Sequence, residues 1–208
     1  MRRSQFLILF AAFGTTLLAG ARASGRQISL EITLAHNNAP EIATRDSLVA
    51  LSKEYDLQPW TWTRSILIEQ YAIPHSDPVL TLNTRHQGVA LLSSYIHEQL
   101  HRFEDLKPRE MARAISVLEK RYPDLPTSPP AGAADRLSSY THIVTCYSEL
   151  EALSSLVGRE RAVQTIKELA KDHYGAIYEL VLTHEEEIGK VVKTLGLMPN
   201  LPIKSRSE

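Results

Sequence analysis

From residue 28 onward the apolar positions keep time, first at two residues and then at three to four. Ile28, Leu30, Ile32 and Leu34 alternate with polar residues as a half-buried strand does, and "RDSLVALSKEY" from Arg45 then reads as a short helix. "RSILIEQY" (64–71) and "PVLTLN" (78–83) read as two more strands, separated by a turn that carries Pro74, Asp77 and Pro78. From His86 the helical period runs almost to the end, and it predicts helices over 86–105, 109–121, 134–157, 159–172 and 174–195. "YPDLPTSPPAGAAD" (122–135) is the one long irregular connection and the natural seam between two lobes. The expected fold is α+β and mostly helical: a small mixed N-terminal sheet, one long helix and a C-terminal helical lobe, in a single domain over 24–208.

Ahead of that domain, Arg2 and Arg3, the apolar run from Phe6 to Ala19, and Ala21-Arg22-Ala23 follow the order of an export signal cut after Ala23. Cleavage leaves 208 − 23 = 185 residues. The apolar run is shorter than the ~20 residues of a spanning helix. The product is therefore expected to be secreted or periplasmic, with no stable membrane anchor. Cys146 is the only cysteine, so no disulfide forms within the chain. The 23 Lys plus Arg against 24 Asp plus Glu leave a formal charge of −1 and no basic block, which argues against nucleic acid as a partner.

The chemistry gathers in "SYIHEQLHRFED" (94–105), on the first long helix. Val89, Leu92, Ile96, Leu100 and Phe103 give that helix a core-facing stripe. At about 100° per residue, His97 and His101 stand about 40° apart around the axis and one turn apart along it, so both reach a single ion. Glu98 sits where it can address a metal-bound water, and Ser93 and Ser94, one turn earlier, leave space above that face. The plain alternative is a solvated face on which Glu98 pairs with Arg102 at i+4.

A later helix, "HIVTCYSELEAL" (142–153), brings further donors. Glu149 lies about 20° short of two turns after His142, so both project from one side, but about 10.5 Å along the axis separates them and only one can hold the ion. Glu151, about 160° from Glu149, faces away. Cys146, between the two, reads as a buried small hydrophobe. Tyr174 and Tyr178 are one turn apart, and either is placed to donate to an oxyanion, although core packing is the ordinary role of such tyrosines and of His173. "HEEE" (184–187) lacks a second histidine and reads as a charged face, and Trp60 and Trp62 read as packing residues.

"HEQLH" (97–101), following a strand in a chain that runs from sheet to helices, resembles the zincin superfamily of zinc-dependent metallopeptidases. The resemblance implies Zn2+ bound by His97 and His101, Glu98 as general base, and a third ligand from downstream. A metzincin would carry glycine and histidine where Glu104 and Lys107 stand, so the likeness is to the gluzincins, which take a glutamate from a later helix. That implies Glu149 as the third metal ligand, with His142 near the substrate carbonyl or beside a ligand. Where gluzincins often have an aspartate four residues on, this chain has Leu153. The implied activity is hydrolysis of a peptide or protein substrate by zinc-activated water, with the oxyanion met by His142 or a tyrosine. If "PVLTLN" borders the cleft, an extended peptide is expected to pair along it. Two readings without catalysis stand beside this one: an exported zinc- or peptide-binding module, and an exported helical interaction protein with no metal.

Overall fold

The computed structural model describes residues 28–199, and the export signal expected over 1–23 lies outside them. Strands β1 (Glu31–Leu34), β2 (Ser65–Ile68) and β3 (Leu80–Leu82) form a sheet in the order β1-β2-β3, with Ile32 beside Ile66 and Ile66 beside Leu80. Both pairings are parallel, so the sheet is parallel where a mixed one was expected. Its antiparallel link, among the described residues, is the bridge between His75 and Thr81. A parallel pair needs a crossover. Helix α1 (Ala39–Glu54) supplies the first, and it begins ahead of the expected Arg45 because Asn38 accepts from the Glu41 N–H at 3.0 Å and Pro40 suits the first turn.

Leu82 turns its carbonyl to β2, where it accepts from the Glu69 N–H, so Thr81 faces the outer rim of β3. There the Thr81 N–H donates to the His75 carbonyl at 2.8 Å and the His75 N–H donates back at 3.2 Å. A peptide laid along "PVLTLN", as expected from sequence, meets a rim already taken at Thr81.

The helices that follow are α2 (Gly88–Asp105), α3 (Pro108–Arg121), α4 (Arg136–Val157), α5 (Arg159–Leu169), α6 (Gly175–Thr183) and α7 (Glu185–Thr194). The single helix expected over 174–195 is two. His184 (φ −117°, ψ 30°) interrupts it, and Glu185, Glu186 and Glu187 then occupy the first turn of α7, where carboxylates stabilise a helix start. Helix α4 is the axis of the molecule. Nearly all its side chains from Ser139 to Leu153 are buried, and α2, α3, α5, α6 and α7 all pack on it, as a helix apolar on every side requires. Asp135 caps its start by accepting from the Ser138 N–H at 2.7 Å, and Gly158, at φ 86°, ends it in a conformation open to glycine. The buried core is continuous from Ile28 on the sheet side to Leu197 beyond α7.

The connection 122–135, expected as a seam, also braces α6. The carbonyls of Pro130 and Ala131 accept from the N–H groups of Gly175 (3.3 Å) and Ala176 (3.0 Å), which a helix start otherwise leaves without partners. A Cβ at Gly132 would overlap the Pro126 carbonyl, so this brace needs its glycine. No helix among the described residues is long and apolar enough to cross a membrane.

Candidate metal centre

Within "HEQLH", Gln99 and Leu100 hold α2 in place. Leu100 is fully buried in the core. Gln99 uses its side-chain amide like a short strand partner: it accepts from the Trp62 and Thr63 N–H groups (2.7 and 3.0 Å) and donates to the Thr63 carbonyl at 2.7 Å. Tyr95 adds a hydroxyl contact to Thr61 at 2.7 Å. Arg102 donates to Asp77 and to the Pro78 carbonyl rather than to Glu98, which removes the i+4 pair considered above. With α2 fixed to the segment before β2, His97 and His101 are left for the side toward α4, and Glu98 is buried within the fields of His101 and His75.

There His97, His101 and His142 come together. Their ring centres are 4.9 Å (97–101), 5.4 Å (97–142) and 5.0 Å (101–142) apart. A Zn–N bond of about 2.0–2.1 Å, plus roughly 1.1 Å from nitrogen to ring centre, puts three tetrahedral imidazoles about 5.2 Å apart, so the triangle fits one ion. Each ring is also tied at Nδ1. The His97 Nδ1–H donates to Glu149 at 3.0 Å, the His101 Nδ1–H to Glu104 at 3.1 Å, and the His142 Nδ1–H to the Ser138 carbonyl at 2.7 Å. A carbonyl only accepts, so His142 carries its proton on Nδ1 and its free lone pair on Nε2. That is the arrangement of metal-binding histidines, oriented from behind by an acceptor.

Of the two residues on α4 expected to divide the roles of ligand and cleft group, His142 stands in this triangle and Glu149 stands at the Nδ1 of His97. Ser93, expected to leave space, instead donates to Glu149, and Tyr178 donates to it at 3.0 Å. Glu104 was not expected as a partner of His101, although its i+3 spacing on the same helix was there to be read. Tyr174 lies over the histidines, stacked on His97 (5.9 Å, 9°) and closer to His142 (4.3 Å). It is held at φ 54°, the left-handed region, immediately before α6. Glu151, as expected, faces away and takes Lys193 at 3.1 Å.

Burial, with the charges of His101 and His173, holds His97 well below the usual imidazole range, and burial with His97 and His101 brings His142 down to about 2. Both are therefore neutral, the ligating form, and the His97–Glu149 contact is a hydrogen bond rather than an ion pair. At His101 burial also opposes the charge, but Glu104, Glu98 and Asp105 outweigh it and raise the imidazole. Burial pushes Glu98 up to about 7 against His101 and His75, and pushes Glu149 up to about 7 against Ser93 and Tyr178. Burial, and next the charge of Glu149, drives the Cys146 thiol well up. A second grouping, His97 with Cys146 and Glu149, shares His97 with the triangle. The chain thus presents a candidate metal site of three histidines, and no family model, curated protein or solved structure matches it.

Proposed function

We propose that this protein is a zinc-dependent metallopeptidase in which His97, His101 and His142 hold the ion and Glu98 is the general base. The observation that carries this reading is the triangle of imidazoles, each tied at Nδ1 and each left with Nε2, directly beside the motif glutamate. This reading takes His142 as the third ligand and Glu149 as the positioning residue of His97, which departs from the gluzincin pattern. Zinc held by His97, His101 and His142 would supply a Lewis acid and lower the pKa of a nearby water. Glu98 takes a proton from the attacking water and returns it to the leaving amine. Glu149 and Glu104 keep His97 and His101 in register, and losing such partners typically costs 10–100-fold in metal affinity or activity. Tyr174, over the rings, is placed to donate to the oxyanion.

The burial of His97 and His142 favours a second reading, a closed zinc site that stabilises the fold without catalysis. Elemental analysis of untagged protein, followed by exposure of a broad peptide library with and without chelator, tests both. About one zinc per chain with chelator-sensitive cleavage is expected. Zinc without cleavage supports the second reading, and metal below a tenth of stoichiometry sinks both.

A further inference from the structure

Of the three histidines, His101 also belongs to the wall of a groove of about 470 Å3 that runs between α3 and the start of α4. Thr141 stands beside it, and Met111, Ile115 and Leu137 make the groove apolar. Leu137 is 64% exposed, a large apolar side chain that the fold leaves uncovered. No lysine or arginine lines the groove, and Asp105, exposed at its rim, makes no ion pair among the described residues. The other two carboxylates of the wall are partly engaged: Glu119 accepts from Arg136 at 2.9 Å, and Glu104 gives one oxygen to His101 and Thr145. The second oxygen of Glu104 is buried with no hydrogen-bond partner, in a residue only 4% exposed. A buried carboxylate oxygen without a donor is unfavourable and adds negative potential to this wall of the groove.

We propose that this groove receives the substrate on one side of the cleaved bond, as a peptide carrying a large apolar side chain next to a lysine or arginine. The apolar side chain lies against Met111, Ile115 and Leu137, and the cation lies toward Asp105. This rests on the peptidase reading, because the neighbouring His101 is what joins the groove to a site.

The test uses binding, so that it does not depend on turnover. Two fluorescein-labelled octapeptides, identical except for lysine or glutamate beside a central leucine, are titrated against zinc-loaded Glu98→Gln protein. The lysine peptide should bind about fivefold tighter or more, the scale of one partly screened ion pair in a groove. Asp105→Lys should cancel or reverse that ratio, and Leu137→Ser, at an exposed position, should weaken both peptides several-fold. Circular dichroism and zinc content confirm that each variant is folded and loaded, and Asp105→Asn replaces Asp105→Lys should the latter fail. Equal affinity for the two peptides, no binding of either, or a preference that survives both Asp105 variants overturns the proposal. Hydrolysis of the same peptides by the unmodified chain is scored separately. Binding as described without cleavage keeps the groove and removes the peptidase, whereas cleavage indifferent to Asp105 and Leu137 does the reverse.

Discussion

Two carboxylates of this chain are almost equally cut off from water, Glu41 at 0% exposed where β1 meets α1 and Glu149 at 1% in the middle of α4, and their acidities move apart. Burial favours the neutral form of both. At Glu41 the hydrogen bonds win: one oxygen accepts from the His36 N–H at 2.8 Å, the other from the His36 ring at 2.9 Å and the Gln70 N–H at 3.2 Å, and the carboxyl falls to about 2. Glu149 meets two hydroxyls and one neutral imidazole, and burial keeps it up at about 7. The donors explain the difference. The His36 ring contributes most, and the main-chain N–H groups of His36 and Gln70, fixed and only able to donate, add to it, so the anion is held in place and Glu41 braces the strand ends. Hydroxyls donate or accept, so they tolerate either state of Glu149.

If the two regions differ as brace and working site, substitutions should separate them by kind of effect. The largest is expected at Glu98→Gln, which keeps zinc and fold but lowers peptide hydrolysis about 10²–10⁴-fold, since the amide cannot take the proton. Steady-state rates alongside zinc content check it, and unchanged rates would remove Glu98 as base. Next come the two α4 residues, read by metal affinity in a competition titration. His142→Ala should leave less than a tenth of the zinc, whereas Glu149→Gln should retain it with affinity about 10–100-fold weaker. The opposite order restores Glu149 as the third ligand.

Glu41→Gln should leave hydrolysis alone and lower the melting midpoint at pH 7 by several degrees. The sign follows from its depressed acidity. The contribution is fully present above the ordinary value of 4.5 and is lost as pH falls toward about 2, so the gap between variant and unmodified chain should close across that window. A gap independent of pH would mean that Glu41 stabilises by packing alone. The smallest effect is at Tyr174, whose φ of 54° strains any residue but glycine. Chemical denaturation should find Tyr174→Gly more stable than Tyr174→Ala by about 1 kcal/mol.

Much of this was legible in the chain because it is local. The strand at Glu31–Leu34, shorter than the alternation from Ile28 suggested, the core stripe of α2 and the histidine pair one turn apart all follow from period and spacing within one element. The break at His184 was hidden by apolar residues that keep helical spacing across it, and only the acidic run at 185–187 marked a new start. The division of labour between His142 and Glu149 was not local at all. Spacing set the two residues about two turns apart on one side of α4, but it did not show that both meet His97. An imidazole has two nitrogens on different sides, so one ring can reach His142 in the triangle and Glu149 farther along α4. Gln99 escaped for a similar reason. Its partners, Trp62 and Thr63, stand on a segment with no period of its own.

Strand rims left unpaired are where proteins of this kind clump, since any extended chain can add to them. At the β3 rim the His75–Thr81 bridge already uses the outward amide and carbonyl, and Pro78, just before, has no N–H to offer. Arg102 pins that stretch through Asp77, which also keeps a charge beside the rim. Among the described residues no strand pairs with the outer side of β1, where exposed Glu31 and Thr33 alternate with half-buried Ile32 and Leu34. Glu31→Val together with Thr33→Val would make that rim more adhesive.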